Sequence, residues 1–540
     1  MKIFNKIFLG FLFLPLIAWS QPASKIENQT KAILKKLSLK QKIGQMLVVA
    51  VPEEKINSTT KKIIKQYLPG GVIFFGYNLS TNPKKTKNYI KQLQKLSLKN
   101  SQIPLFISID QEGGRVKRIG KGTTQFPGNM ALGVTNNRKL TYQAAKIVAI
   151  QLRKLGVNMN LAPVLDINNN PDNPVINTRS FGSDPQIVAQ LGVAYINGLQ
   201  DGKCLAVGKH FPGHGNTNQD SHQTLPMVSF DLARLNKIEL LPFKKAIKEG
   251  VSAIMTAHIA YPLIHAKNPK LPATCSKLFL TDILQKKIGF KGLIITDDLE
   301  MKAISKDDVG QAALKSVLAG SDLLLLSSFS QNTSKIIATL KEGVKNKKLS
   351  LERIDSSVKK IITAKLEYKI LSLAKNKIRL SSPNYSFKDL KILAEADKIN
   401  QKISSEAIYF HGPSKKLALS PKIIVTSNSI LQKNLKIDKN LSLARSLKKI
   451  KNKKALIFYH LNSTNPKKIN TLIHLSQKEK LNLVLISTDN PFPVVKVAKK
   501  YKGISLLITF SNTDESFKQL ARVLNGEIRP KTKINLDLGF

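Results

Sequence analysis

The sequence predicts an α/β fold: a (β/α)₈ barrel of the TIM type followed by a smaller α/β/α sandwich domain. Three observations predict it. Short apolar runs of strand length alternate with amphipathic stretches about eight times over about 340 residues, which suits a closed barrel better than an open doubly wound sheet. Carboxylates, cations and histidines crowd the C-terminal ends of those runs, where such barrels build their sites. After a polar, turn-rich passage, a second and shorter series of runs and helices begins.

The first segment carries Lys2 and Lys6 ahead of an apolar stretch, residues 7–18, and then Trp19-Ser20-Gln21. This is the three-part layout of a signal peptide over residues 1–20, cut near Ser20/Gln21, and it predicts a secreted or periplasmic protein. The apolar run is too short for a bilayer core of about 30 Å, so no stable membrane insertion is expected. Strands are predicted at 45–51, 71–75, 105–110, 157–163, 204–210, 253–258, 292–297 and 322–326. Their continuous apolar character is that of parallel strands buried on both faces. Helices are predicted between them at 139–155, 186–201, 231–249 and 281–287, and a helix at 351–368 closes the ring. The barrel is assigned to 21–375. The passage 371–389 is polar and poor in large apolar residues, and the linker is placed at 376–389 within it. The second domain, 390–540, is read as a helix at 390–408, strands at 423–426, 455–459, 483–487 and 505–509, and a helix at 516–524.

Composition narrows the function classes. With 42% hydrophobic and 22% charged residues in 540, global disorder is excluded. Two cysteines, Cys204 and Cys275, cannot supply a disulfide framework, and free thiols are expected. The formal net charge of +51 invites a nucleic-acid reading, but the basic residues are spread along the whole chain and no nucleic-acid-binding motif accompanies them. No nucleic-acid partner is expected. The lysine-rich surface is read as solvation, with steering toward anionic surfaces as the lesser alternative.

The strand ends hold the chemistry. The third run ends in Asp110-Gln111-Glu112-Gly113-Gly114-Arg115, with Arg118 following. The loop after the fourth carries Asp166 and then Asn177-Thr178-Arg179-Ser180-Phe181-Gly182. The fifth leads into Lys209-His210-Phe211-Pro212-Gly213-His214-Gly215 and then Asp220-Ser221-His222. The sixth ends at His258 and the seventh at Thr296-Asp297-Asp298. Carboxylates beside Arg and Lys at a barrel mouth suit a polyhydroxylated substrate. Glycosidic cleavage needs a proton donor for the leaving oxygen and a carboxylate near the anomeric carbon. Asp297 fits the second role and, on the residues alone, reads equally as the cap of the helix that follows; Asp298 takes the cap if Asp297 is catalytic. His222 fits the first, because a histidine can both give and take a proton and Asp220 can orient its ring.

The same runs, DQEGGRV at 110–116, RSFG at 179–182, KHFPGHG at 209–215, DSH at 220–222 and TDDLEM at 296–301, resemble glycoside hydrolase family 3, in its two-domain β-N-acetylglucosaminidase (β-hexosaminidase) branch. The resemblance spans the barrel and is weaker beyond it. It implies a retaining exo-glycosidase that releases terminal non-reducing β-linked N-acetylglucosamine, from peptidoglycan fragments or chitooligosaccharides, through a covalent glycosyl–enzyme. It implies Asp297 as nucleophile, His222 with Asp220 as acid/base, and Asp110, Arg118, Arg179, Lys209 and His210 as the residues that hold the sugar. Without the resemblance, Asp110 and Lys209 read equally as a buried ion pair. A β-glucosidase or β-xylosidase of the same family and an N-acetylglucosaminide phosphorylase are the alternatives.

No cofactor is expected. His210, His214, Asp220 and His222 could be read as a zinc set, but Pro212, Gly213 and Gly215 prevent a helix that would place the first two rings on one face. His214, between two glycines, is expected to shape the loop. His258 is left open between ligand contact and packing.

Overall fold

In the computed structural model of the chain, the described residues are 23–305, 308–329, 331–374, 377–412, 422–426, 428–435, 456–460, 466–478, 480, 482–501 and 504–538. The segment read as a signal peptide lies outside them. Eight parallel strands form one sheet: β1 (Leu47–Ala50), β2 (Gly71–Phe74), β3 (Phe106–Ile109), β4 (Met159–Asn160), β5 (Leu205–Phe211), β6 (Ala253–Thr256), β7 (Leu293–Ile295) and β8 (Leu324–Leu326). Neighbouring strands from β1 to β7 pair in parallel, and β1 also pairs with β8. A parallel bridge between Ile295 and Leu323 joins β7 to β8 and closes the barrel.

Strand periodicity sorts the core into two layers. Ile73, Phe106, Leu161, Val207, Met255 and Ile295 belong to one buried cluster, which also takes in β1, β8 and helix residues such as Ile336 and Ile361. The alternate residues Val72, Phe74, Ile107, Ala206, Ile254 and Ile294 belong to the other, which packs against the surrounding helices. Those helices begin and end where local chemistry dictates. Arg138–Leu155 starts at Asn137, whose side chain accepts from the Leu140 N–H, and stops at Gly156 in a left-handed conformation. Pro185–Asp201 starts at Asp184 in the same way. The segment read as one helix over 231–249 is two, Leu232–Lys237 and Leu241–Lys248, because Pro242 has no N–H to continue the first. The predicted 281–287 helix lies inside a π-helical stretch, Leu278–Lys287.

The passage 371–389 holds more structure than its composition suggests. An antiparallel hairpin joins β9 (Leu371–Ala374) and β10 (Lys377–Leu380). Ser386 and Asp389 then form a reciprocal capping box at the start of Phe387–Ala394. The predicted 390–408 helix breaks at Glu395, and its second half is Ala396–Glu406.

The last sheet is five-stranded: β11 (Tyr409–His411), β12 (Lys422–Val425), β13 (Leu456–His460), β14 (Asn482–Ser487) and β15 (Ser505–Ile508), in the order β11-β15-β14-β13-β12. All pairings are parallel except β11 with β15. Helices cover both faces: Ile473 and Val495 on one side, Leu520 and Leu524 on the other. This sandwich packs directly on the barrel unit, since Met130, Ala131 and Val134 of the barrel share a core with Leu485 and Ile508.

Candidate active site

The C-terminal strand ends open into a cleft of about 340 Å³ whose floor includes Ile73, Leu161, Met255 and Leu325 from inside the barrel. Asp110, Arg118, Arg179, Lys209, His210, His222 and Asp297 all line it. Each arrives by a local device.

In β5, ordinary alternation would point Lys209 and His210 to opposite faces. The pairing of β5 with β6 shifts register between Gly208 and Phe211, and this irregularity lets both side chains line the cleft. After β3 the chain folds back at Gly113 and Gly114, both at positive φ, and a Cβ on Gly114 would lie 2.7 Å from the Gly128 Cα. That turn brings Glu112 under the cleft. Arg179 is presented by a one-turn helix, Asn177–Arg179, braced by Asn173, whose Oδ1 accepts from the Val175 and Ile176 N–H groups.

These side chains form a closed ionic network. Lys209 Nζ donates to Asp110 Oδ1 at 2.6 Å and lies 2.7 Å from Glu112 Oε1. Arg179 meets Glu112 with two parallel bonds of 3.0 and 2.8 Å. Burial alone would raise the Glu112 carboxyl, but Arg179 and Lys209 outweigh it and hold the group well below the usual carboxylate range. Burial would likewise lower Lys209 and Arg179, and their carboxylate neighbours push both above their ordinary values. The two cations and two carboxylates balance. Arg118 stands apart: its Nε is buried, and its side chain has no hydrogen-bond or ion-pair partner among the described residues.

Asp166 organises the next layer. Its Oδ2 accepts from His210 Nδ1 at 2.6 Å and its Oδ1 from the His214 backbone N–H at 2.7 Å. Burial would raise this carboxyl, but His210 and His214 together lower it. The Arg179 Nη2 lies 3.5 Å from His210 Nε2 and so joins the two groups of residues.

Asp297 follows β7, with its N–H on the Thr256 carbonyl and its Oδ1 accepting from the Asp298 N–H at 2.8 Å. Burial raises its carboxyl, while His210, His258, the Asp298 N–H and Lys209 lower it further, leaving a carboxylate at neutral pH. Asp298 closes a turn rather than capping the next helix, which begins only at Lys302. It accepts from the N–H groups of Glu300 and Ser327 and from the Ser327 hydroxyl, and burial raises it to about 6. His258 is buried beneath the pair: Nε2 bonds the Asp298 carbonyl oxygen at 2.9 Å and Nδ1 meets Thr274 at 2.8 Å. It packs after β6 behind Asp297 and Asp298 rather than lining the cleft.

Opposite these, His222 stands on the long loop after β5. Asp220 Oδ1 accepts from its backbone N–H at 2.9 Å and from Nδ1 at 2.7 Å. Nε2 has no partner among the described residues. Burial tends to raise Asp220, and the His222 backbone and ring bring it below its ordinary value. The His222 side chain is 65% exposed, against 2% for Lys209.

Sequence reasoning gave no role to Glu112, Asp166 or Ser221, though it noted Asp166 in the loop after the fourth strand. Glu112 sits two positions beyond Asp110 inside DQEGGRV, and Asp166 ends a buried run, so both carried a positional signal. Ser221 carried none beyond its place between Asp220 and His222. Of the residues in the metal reading, His214 is engaged at both nitrogens, which meet the hydroxyls of Thr217 and Ser221. Cys204 and Cys275 are both free.

The chain is similar to known proteins. Residues 38–364 match the family model described as the Glycosyl hydrolase family 3 N terminal domain. Beta-hexosaminidase A of Pseudoalteromonas piscicida is 36% identical over 347 residues, covering 60% of this chain; the chain spans only 58% of that protein's length. The Beta-hexosaminidase of Methylobacillus flagellatus is 33% identical over 315 residues, 57% of this chain and 87% of that protein. Among solved structures, a glycoside hydrolase family 3 beta-N-acetylglucosaminidase from Paenibacillus sp. str. FPU-7 superposes with a TM-score of 0.80 at 31% identity, covering 93% of this chain and 99% of that one. By its matched barrel, and by a likeness that runs on through the second sheet, the chain belongs to glycosyl hydrolase family 3.

Proposed function

We propose that the protein is a retaining, exo-acting β-N-acetylhexosaminidase that releases terminal non-reducing β-linked N-acetylglucosamine from peptidoglycan fragments or chitooligosaccharides. One observation carries this reading: a single cleft holds an ionised Asp297 and a histidine, His222, whose Nδ1–H is held by Asp220. The names of the β-hexosaminidase relatives support the sugar class.

The terminal sugar lies on Asp110, Arg118, Arg179, Lys209 and His210, which fix its hydroxyls by charge-assisted bonds. Asp297 attacks the anomeric carbon and forms the glycosyl–enzyme ester. His222 Nε2–H gives its proton to the departing oxygen, so the aglycone leaves neutral. Asp220 stabilises the imidazolium before that transfer and fixes the tautomer after it. His222, now neutral, takes a proton from water as the water attacks the anomeric carbon, and the bond from that carbon to Asp297 breaks to return the carboxylate. The proton given to the aglycone is regained from water, so His222 and Asp297 end the cycle as they began it.

The test is kinetic. Wild type is expected to hydrolyse 4-nitrophenyl β-N-acetylglucosaminide in preference to the glucoside. Asp297→Ala is expected to lower kcat/KM by at least about 10⁴-fold, the scale of losing a nucleophile. A large preference for glucose would overturn the sugar assignment, and activity surviving Asp297→Ala would overturn the mechanism. Sugar 1-phosphate formed in phosphate buffer would replace hydrolysis by phosphorolysis. Export belongs to the same proposal and rests on Lys2, Lys6 and the apolar run after them. No helix among the described residues is long and apolar enough to cross a membrane. The mature N-terminus is expected at Gln21; an exported protein that still carries residues 1–20 would contradict it.

A further inference from the structure

The loop bearing His222 is pinned from inside at one side chain. Among residues 218–224, Ser221 is the one buried position, with Asp220 part-exposed and the others exposed. The Ser221 Oγ meets His214 Nε2 at 3.0 Å. On its other edge, His214 Nδ1 meets Thr217 Oγ1 at 2.8 Å. Burial, with His210 adding to it, lowers the His214 ring to about 4, so the ring is neutral at neutral pH. A neutral imidazole presents one donor and one acceptor, and two hydroxyls satisfy it in either tautomer.

The backbone of His214 is fixed as firmly as its ring. Its N–H donates to Asp166 Oδ1 at 2.7 Å, and its carbonyl accepts from Asn173 Nδ2 at 2.9 Å. The next residue, Gly215, lies so close to the barrel that a Cβ would fall 1.7 Å from the Ile167 carbonyl oxygen. The Asp166 carboxylate that holds His214 also holds His210, a residue of the sugar pocket. A continuous chain of short bonds therefore runs from His210 through Asp166 and His214 to Ser221, the residue between Asp220 and His222.

We propose that His214 is a positioning residue for the reaction: through Ser221 it holds the Asp220–His222 pair over the cleft, and through Asp166 it ties that placement to the sugar pocket. This rests on the acid/base reading of His222. His214 touches no reacting atom. Its effect is that an exposed, loop-borne acid starts from a defined place.

Leaving-group dependence separates this role from a merely structural one. A 2,4-dinitrophenyl group departs without a proton, whereas a phenyl group needs one. Ser221→Ala, which removes one hydroxyl, and His214→Gln are each compared with wild type and His222→Ala on the two β-N-acetylglucosaminides. Both variants are expected to lose at least about tenfold in kcat/KM on the phenyl glycoside, part of the roughly 10²–10⁴-fold that a positioned acid supplies. On the dinitrophenyl glycoside kcat/KM should change by less than about twofold, while kcat and KM fall together because base-assisted release of the glycosyl–enzyme slows. Azide, which needs no base, should restore kcat of both variants on the dinitrophenyl substrate. Equal losses on both substrates, or no loss on either, would overturn the proposal. If His222→Ala itself showed no leaving-group dependence, the acid/base reading would fall first and this inference with it.

Discussion

Two groups of charged side chains face the cleft, and they are built on opposite principles. The sugar pocket is buried and over-determined: Lys209 touches two carboxylates, Glu112 touches two cations, and Asp166 bonds two histidine residues. The Asp220–His222 pair is exposed and held by one carboxylate and one buried serine. On the proposed mechanism, the difference follows from what each must do. A pocket that recognises hydroxyl geometry gains from groups that cannot reorganise. A group that first donates and then removes a proton must work beside a departing aglycone and an arriving water, which calls for access. Burial is therefore spent on recognition, and the proton is handled from solvent.

The largest effect that could break this contrast is at Glu112. Glu112→Gln leaves Arg179 and Lys209 facing Asp110 alone, with a buried positive charge in excess. Removing one partner of a buried pair typically costs about 3–5 kcal/mol. Urea unfolding is expected to show a loss of that order, together with a fall in kcat/KM, because Arg179 and Lys209 no longer share an anchor. His222→Ala, in contrast, removes an exposed side chain and is expected to leave the urea midpoint within error while lowering activity. A stability loss at Glu112 below about 1 kcal/mol would show that the network is not held by its charges.

The contrast was only half legible in the sequence. The eight strands could be read because each is a short apolar run ended by polar residues, and that pattern put Asp110, Lys209, His210 and Asp297 at one mouth. Pairing could not be read. Whether Glu112 faces solvent or lies under Arg179 is decided by the turn at Gly113 and Gly114, and by a one-turn helix 67 residues further on. Likewise the link from His214 to Ser221 needs the loop to close on itself. The hairpin in 371–380 was missed because β10 is largely exposed and shows no apolar face. The three-residue β11 was missed because it is too short for alternation to register.

A smaller effect sharpens the contrast through acid. His214 is lowered to about 4 by burial first, and the buried His258 is lowered for the same reason. Above an unfolded-state value of about 6.5, folded and unfolded rings are both neutral and the contribution to stability is complete. As pH falls from about 6.5 toward 4, the unfolded chain takes up a proton that the folded ring refuses. Stability therefore falls across that window, by about 3 kcal/mol at most for a shift of this size. Urea midpoints measured from pH 7 to 4.5 should decline, and His214→Gln should flatten the decline. An unchanged slope in that variant would mean that the buried ring is protonated in the native state.

The smallest effect concerns charge that is neither buried nor catalytic. Lys496 of the second domain bonds Asp172 of the barrel at 3.1 Å, with side chains 70% and 67% exposed. An ion pair this exposed is screened and pays for ordering two flexible groups, so it is worth about 0–1 kcal/mol. The chain also carries a net charge of +51, and each lysine removed relieves repulsion among the rest. The two terms oppose each other. Lys496→Ala is expected to shift the urea midpoint by less than about 0.5 kcal/mol in either direction, with kinetics unchanged. The junction is held instead by Met130 and Val134 of the barrel against Leu485 and Ile508. Val134→Ala should therefore cost more than Lys496→Ala, roughly 1–3 kcal/mol from lost methyl burial. If the order were reversed, the domains would be joined by charge, and raising the salt concentration would then loosen them.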